Sequence, residues 1–320
     1  MNKTVVVTEH VDPAGLELLA AEATLIYLPD SPSISLEDVI CRAHGLGVRL
    51  ARITSQLMDT APSLEVIAKH GVGVDNIDVE AATARRIPVV TTPRANSISV
   101  AEHILSLILS LANRICAADA DLKAGRFRTR EDYVGVELNG KALGVVGLGR
   151  IGTEVARMAS AGLGMHVCFF DPWLPADWSG PGAYSRANTL QDLLQQCDFV
   201  ALCLPLAKDT AGLIGAEELS MMKPTAFLVN TARGGLVDEH ALFEVLAKGG
   251  IAGAAADAFV QEPVSADHPL LSLPNFIATP HVGGATREAM RRMSADMADE
   301  ILRVLHGGRP QYAVNPEVFE

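Results

Sequence analysis

One stretch limits the possible architecture more than any other: Gly140-Lys141-Ala142-Leu143-Gly144-Val145-Val146-Gly147-Leu148-Gly149-Arg150-Ile151-Gly152. A turn leads into an apolar run, the run closes on Gly-x-Gly-x-x-Gly, and a helical pattern (Val155, Ala156, Met158, Ala159) follows at once. This is the order a dinucleotide site needs. Gly147 permits the tight turn after the strand, and Gly149 lets the backbone approach a pyrophosphate. Gly152 lets the helix pack close to the strand, while the helix N-terminus faces the phosphate charge. With 27 glycines in 320 residues a triplet also arises by chance, so its context decides. A second apolar run, residues 165–170, ends at Asp171, 19 residues beyond Gly152. There a carboxylate can accept hydrogen bonds from a ribose 2′-hydroxyl and would repel a 2′-phosphate, which favours NAD over NADP. The alternative is a βαβ turn without a ligand.

A chain of 320 residues can bury a sizeable core and is expected to split into two domains. Its 49% hydrophobic and 20% charged residues suit a globular protein. A net charge of −12 and a pI near 5.2 argue against nucleic acid or an anionic membrane as partner. Five cysteines without a Cys-x-x-Cys fit reduced thiols, hence a cytoplasmic location, and no metal site is expected. Met1-Asn2-Lys3 leads straight into a strand-like run, so no signal peptide is expected. The most apolar helical stretch, residues 98–111, carries Glu102 and His103 and falls short of a membrane span.

Short apolar runs at residues 3–8, 24–28, 47–50, 64–68 and 88–90 alternate with helical patterns, the first opened by Asp12-Pro13. A second series runs from Lys141 to about residue 285, with later strands at 198–204, 226–230, 253–257 and 275–279. Strands alternating with helices specify α/β architecture: two doubly wound parallel-sheet domains. The longest helix is read from residue 97 through Ile115, with Ser99 and Glu102 at capping-box spacing. An Arg-rich polar segment, residues 123–137, follows it. The last helix, residues 287–306, places Met290, Met293, Met297, Ile301 and Leu305 at helical spacing, a packing pattern.

In open parallel sheets ligands sit beyond the carboxyl ends of the strands, and three such ends carry reactive side chains. Arg233 follows an apolar strand and precedes two glycines; its guanidinium either points into a cleft, as a bidentate partner for a carboxylate, or is a surface charge. Glu262 precedes Pro263, which favours an extended conformation, in the cluster that begins at Asp257. His281 lies between a proline and, one residue on, Gly283-Gly284, poorly placed for core packing and well placed to carry a proton. In the N-terminal half, Gly71-Val72-Gly73-Val74-Asp75-Asn76-Ile77-Asp78 either exposes consecutive N–H groups to a small anion or is a turn whose Asp75 and Asn76 cap the next helix.

Together these clusters, with Ser99-Val100-Ala101-Glu102-His103, residues 135–141 and Phe170-Asp171-Pro172, resemble the D-2-hydroxyacid dehydrogenase family, most closely its 3-phosphoglycerate dehydrogenase branch. The resemblance covers nearly the whole chain. It implies a Rossmann NAD-binding domain, residues 98–286, inserted into a flavodoxin-like substrate domain, residues 1–97 and 287–320. It implies a catalytic trio of Arg233, Glu262 and His281. His281 would take the hydroxyl proton, Glu262 would favour the charged imidazole, and Arg233 would hold the substrate carboxylate and polarise the carbonyl. Val72 and Gly73 would also bind that carboxylate. For NAD it implies contacts from Gly147, Gly149, Arg150, Ile151, Gly152, Asp171, Leu204, Pro205, Thr231, Ala232, Arg233, Asp257, His281 and Gly284. Arg49, Arg52 and Arg94 would either meet a second anionic group, phosphate or sulfonate, or be solvated charges.

Two departures stand out. Leu204 precedes Pro205 where phosphoglycerate dehydrogenases often carry Thr or Ser, which removes one hydroxyl contact. The chain stops at Glu320, short of the regulatory domain of serine-inhibited relatives, so no serine feedback is expected. The expected activity is oxidation of a small 2-hydroxy acid by NAD, with 3-phosphoglycerate as leading substrate and a homodimer as the assembly. Hydroxypyruvate or glyoxylate reduction and sulfolactate-type oxidation are alternatives. An NAD(H)-sensing, corepressor-like binding protein is another, and a nucleotide-free scaffold the last.

Overall fold

The computed structural model describes residues 3–127, 130–175, 178 and 182–320. Met1 and Asn2, on which the signal-peptide expectation rests, and Arg128 and Thr129 of the Arg-rich segment lie outside the described residues. The elements run β1 Thr4–Val7, α1 Pro13–Glu22, β2 Thr24–Tyr27, α2 Leu36–Val39, β3 Gly45–Val48, α3 Ser55–Asp59, β4 Val66–Lys69, α4 Val79–Ala84 and β5 Val89–Val90. They continue with α5 Ser97–Ala112, α6 Ile115–Lys123, β6 Ala142–Val146, α7 Arg150–Leu163, β7 His166–Phe170, β8 Ser185–Arg186, α8 Leu190–Gln196 and β9 Phe199–Leu202. The last are α9 Ala216–Met221, β10 Phe227–Asn230, α10 Glu239–Ala247, β11 Gly253–Ala256, β12 Phe276–Ala278 and α11 Arg287–Leu305.

The chain divides into two compact units, one made of Met1–Asn96 with Ala285–Glu320, the other of Ser97–Gly284. The first holds a five-stranded sheet in the order β2-β1-β3-β4-β5. Every pairing in it is parallel, and the order is that of flavodoxin-like doubly wound sheets. Parallel strands covered on both faces need apolar residues at every position, and β1 supplies Val5, Val6 and Val7, each at most 1% exposed. Val6, Leu46 and Ile67 pack into the core on one face of this sheet. On the other, Val5, Val7, Val66 and Ala68 meet Leu19 of α1 and Met297, Ile301 and Leu305 of α11. The α11 methionines are therefore packing residues.

The second unit holds seven parallel strands in the order β12-β11-β10-β9-β6-β7-β8. Strand order reverses between β6 and β9, so the glycine turn after β6 stands at the switch point where α/β sheets take their ligands. Helix α5 lies on this sheet with Ile104, Leu107, Ile108 and Leu111 buried beside Val145, Val155 and Phe199. The doubly wound α/β fold, with a Rossmann-type unit inserted into a flavodoxin-like one, is thus borne out.

Several local expectations are corrected. The helix from residue 97 is two helices, because Arg114 takes a left-handed conformation (φ 54°) and bends α5 against α6 by 65°. Ser99 is not its cap: α5 begins two residues earlier and Ser99 is a buried residue within it. Residues 49 and 50 leave the strand read at 47–50, since Glu9 accepts hydrogen bonds from the backbone N–H groups of Arg49, Leu50 and Ala51. The cap of α4 is Asp78, which accepts from Ala81 N–H, rather than Asp75. Asn76 binds the Ala51 carbonyl and Lys69 instead. The two-residue strand β8, unread in the sequence, pairs at the sheet edge with β7. Among the described residues no single helix is long and apolar enough to cross a membrane.

Candidate active site

Strand β6 delivers the chain to Gly147, whose φ of +88° only glycine adopts without strain. A Cβ there would also stand 2.9 Å from the Cys203 carbonyl oxygen. Gly152 is fixed by a different contact: a Cβ would come within 2.2 Å of the Gly147 carbonyl oxygen, so the first turn of α7 could not close on the strand end. Gly149, the N-cap of α7, is the contrast. It is exposed, and a Cβ on it would have no atom within 4 Å. The protein itself does not need glycine at 149; the space in front of it does. Two glycines close a turn and the third keeps an open approach to a helix N-terminus, which suits a pyrophosphate. The residues present therefore fit a dinucleotide. Arg150 is exposed at the start of α7, and Ile151 packs against the core beneath it.

Asp171 stands at the end of β7. One carboxylate oxygen accepts the Leu148 N–H at 2.9 Å and the other the Trp173 N–H at 2.9 Å. Each oxygen keeps a lone pair for a further donor such as a ribose hydroxyl. Arg186, which the sequence did not point to, donates to the carbonyls of Asp171, Leu174 and Pro175 and so shapes the loop after Asp171. After β9, Leu204 is half-buried against the core and Pro205 exposed.

The turn after β10 is built by Asn230. Its side chain accepts the Ala232 N–H at 3.1 Å and donates to the Arg233 carbonyl at 2.8 Å, beside the buried Thr231. Arg233 is half-buried and donates from Nη1 to the Ala232 carbonyl. Gly234, next to it, packs directly on the following strand's loop: a Cβ there would lie 1.9 Å from the Phe259 carbonyl carbon. No other residue fits.

The loop after β11 carries Asp257 and Glu262. Asp257 is 1% exposed. It accepts hydrogen bonds from Thr279 Oγ1 at 2.6 Å, Val282 N–H at 2.9 Å and Gly283 N–H at 2.8 Å, and His103 Nε2 lies 3.5 Å away. Burial pushes its pKa up, but the hydrogen bonds from His103, Thr279 and the two backbone amides outweigh burial and hold it below the usual carboxylate range. Asp257 thus fastens the loop that follows β12. His103, on α5, completes this cluster by meeting Thr279 Oγ1 at 3.0 Å. His103 and Asn230 stood within quoted motifs, but their roles depend on partners 176 and 3 residues away that a linear reading does not pair.

His281 is exposed and adopts a left-handed backbone conformation, φ 54°, which for a residue other than glycine is uncommon and concentrates at functional sites. Its Nδ1 lies 2.8 and 3.1 Å from the two carboxylate oxygens of Glu262. Glu262 in turn accepts the Phe259 N–H at 3.0 Å. The structure therefore brings Glu262 and His281 into contact, with Arg233 on the adjoining strand end and Gly284 half-buried three residues beyond His281.

The remaining residues read as substrate contacts, Val72, Gly73, Arg49, Arg52 and Arg94, belong to the other unit. Val72 is exposed and Gly73 half-buried, and among the described residues neither N–H donates a hydrogen bond within it. Gly71, by contrast, donates to Thr92 Oγ1 at 3.0 Å. Arg52 is exposed and lines a polar hollow with Thr54, Gln56 and Asn76. Arg94 lies over the Tyr312 ring at 5.9 Å, and Arg49 is half-buried at the end of β3.

A glycine cradle at the switch point of a doubly wound sheet, with an acid–imidazole pair at neighbouring strand ends, defines a dinucleotide-binding α/β protein. Residues 105–283 match the family model described as D-isomer specific 2-hydroxyacid dehydrogenase, NAD binding domain. The chain belongs to that family. It is similar to the D-3-phosphoglycerate dehydrogenase of Methanocaldococcus jannaschii, 44% identical over 264 residues, 82% of this chain and 50% of that protein. Among solved structures it is similar to the TT0316 protein of Thermus thermophilus, at 36% identity and TM-score 0.86, with 97% of this chain and 99% of that one covered. It is also similar to an NADPH-dependent glyoxylate/hydroxypyruvate reductase of Sinorhizobium meliloti in complex with NADP and malonate, at 29% identity and TM-score 0.84, covering 99% and 98%. The chain spans about half the length of the curated relatives it matches.

Proposed function

We propose that this chain is an NAD-dependent D-2-hydroxyacid dehydrogenase that acts on 3-phosphoglycerate or a close analogue. The observation that carries this reading is the Glu262–His281 pair, held in the same unit as the glycine cradle and Asp171. NAD, when bound, supplies a nicotinamide ring that exchanges a hydride with C2 of the acid. We assign its pyrophosphate to Gly147, Gly149, Gly152, Arg150 and Ile151, its adenosine ribose to Asp171, and its nicotinamide end to the neighbourhood of Leu204, Pro205, Thr231, Ala232, Asp257, His281 and Gly284.

The chain's own residues then divide the work. Glu262 occupies Nδ1 of His281, which leaves Nε2 to take the hydroxyl proton in oxidation and return it in reduction. Arg233 holds the substrate carboxylate and stabilises charge on the carbonyl oxygen. We assign Val72 and Gly73 as further carboxylate donors and Arg49, Arg52 and Arg94 as candidates for a second anionic group. The phosphorylated substrate is supported by the likeness to phosphoglycerate dehydrogenases. A glyoxylate or hydroxypyruvate reductase is the second reading, supported by the likeness to the S. meliloti enzyme.

We further propose a cytoplasmic homodimer. Ile98, Ile115, Leu122, Phe127, Val134 and Val136, among the described residues of 98–136, are each at least 40% exposed, apolar side chains that a second copy would cover. Light scattering of the eluted protein tests the dimer; a monomeric mass at micromolar concentration overturns it. The activity is tested by NADH oxidation across phosphohydroxypyruvate, hydroxypyruvate, glyoxylate, sulfopyruvate, pyruvate and 2-oxoglutarate. Preference for phosphohydroxypyruvate is expected. Preference for an unphosphorylated acid selects the reductase reading, and bound NADH with no turnover on any acid favours a sensor.

A further inference from the structure

The geometry points to Glu239 and His268 as a positioning pair that holds the turn at Phe259–Val260 and, through it, the Glu262 carboxylate against His281. This rests on the dehydrogenase reading above. Neither residue belongs to the trio or to the strand-end clusters that the sequence singled out.

Phe259 N–H donates to Glu262 at 3.0 Å, and the next amide, Val260 N–H, donates to Glu239 at 2.9 Å. Two carboxylates thus grip successive amides of one turn. Glu239 is the first residue of α10, behind its cap Asp238, so its position is set by a helix start rather than by the loop it holds. Its second oxygen lies 3.2 Å from His268 Nε2. The His268 ring meets Phe259 edge-on at 5.6 Å, and Phe259 meets Phe276 at 6.4 Å, so the ring before the gripped amide is wedged as well. The peptide is also backed by Gly234, where a Cβ would overlap Phe259 and Val260 backbone atoms at 1.9–2.4 Å. Arg233 precedes that glycine. The turn at Phe259–Val260 therefore carries the loops of both Arg233 and Glu262, and Glu239 with His268 holds it in place.

Glu262 is 38% and His281 47% exposed at their side chains, so little packing restrains either one. Its bond to the Phe259 amide is what orients the Glu262 carboxylate, and that amide is only as fixed as the turn containing it. Misplacement of a catalytic group by about 1 Å can cost about 10²-fold in rate, and such groups rely on supporting hydrogen bonds to stay in register.

The test compares the wild type with Glu239→Ala, Glu239→Gln and His268→Phe. Each is measured for kcat and KM, for NADH binding by fluorescence, for thermal midpoint, and for the downfield ring-proton NMR signal of His281, assigned with His281→Asn. We expect Glu239→Ala to lose about 10- to 100-fold in kcat, with NADH affinity within about twofold and the His281 signal shifted or lost. Glu239→Gln, which keeps an acceptor for Val260 N–H, should recover part of the rate. His268→Phe keeps the ring contact and removes the donor, and should move kcat and the signal in the same direction by less; it serves if Glu239→Ala does not fold. Unchanged kcat and an unmoved His281 signal in a folded variant overturn the proposal. So does NADH affinity falling in step with kcat, which would make the pair a general support of the unit. If the wild type binds NADH but turns over no acid, the dehydrogenase reading fails, and the His281 signal alone decides whether the pair positions it.

Discussion

Nδ1 of His281 lies 2.8 Å from a carboxylate oxygen of Glu262, and the same carboxylate accepts the Phe259 amide. The ring is thereby held by one nitrogen, on a backbone of φ 54°, with its side chain 47% exposed. His281→Ala should lower kcat by about 10²–10⁴-fold while NADH binding stays close to wild type. Steady-state kinetics with a fluorescence titration checks this; undiminished turnover would remove His281 from the reaction.

The three glycines of the cradle should respond differently to the same substitution. Gly152→Ala forces a contact at 2.2 Å with backbone and is expected to cost about 1–3 kcal/mol of stability. Gly149→Ala meets nothing within 4 Å, so its thermal midpoint should match the wild type while NADH binding weakens at least about tenfold. A Gly149→Ala protein that binds NADH normally would mean that no pyrophosphate passes residue 149.

Asp171 accepts two backbone amides with its two oxygens, so it supports the glycine turn and offers a ribose partner at once. Asp171→Asn keeps most of the shape and removes the charge. The ratio of NAD to NADP affinity should fall by about 10- to 100-fold, as expected for losing a charged hydrogen-bond partner. Both cofactors are titrated against the variant; an unaltered ratio would place the discrimination elsewhere.

His70 gives the first unit an acid-sensitive point. It is 3% exposed at the end of β4, and neither ring nitrogen meets a hydrogen-bond partner among the described residues. Burial first, then the Arg49 guanidinium, lowers its pKa from 6.5 to about 4. Above pH 6.5 the imidazole is neutral folded or unfolded and contributes no pH dependence. As pH falls from about 6.5 toward 4, the unfolded chain takes up the proton and the folded one does not, so stability is lost, by at most about 3 kcal/mol. Asp257, held below the usual carboxylate range, adds a loss of the same sign at lower pH. Urea unfolding at pH 7.5, 6 and 5 should show the decline, and His70→Gln should flatten it between 6.5 and 5. An equal slope in the variant would assign the decline to other groups.

The parallel sheets were legible because their strands are short continuous apolar runs, and a buried strand such as Val5-Val6-Val7 has few other ways to satisfy both faces. The glycine turn was legible for the opposite reason: local geometry at Gly147 and Gly152 admits no side chain. What a linear reading missed was set by distant partners. Glu9, just past the neighbouring strand β1 and some 40 residues earlier in the chain, ends β3 by taking three amides. Arg114 breaks the helix at a position whose neighbours read as helical on both sides. His103, Glu239 and His268 acquire their roles only when distant segments come together. Of these, Glu239 reads in the sequence as an ordinary acidic first turn of a helix.

The first unit is interrupted after Asn96 and resumes at Ala285. Helix α11, from the second segment, supplies Met297, Ile301 and Leu305 to one side of its sheet. During synthesis from the N-terminus, that side of the sheet has only α1 to cover it until the whole inserted unit has left the ribosome. The continuous stretch of residues 97–284 can close its core while it is being made; the stretch that begins first is completed last. The apolar face of β1, β3 and β4 is thus open to wrong partners for most of the chain's birth, and closing it requires ends separated by an entire folded body to meet.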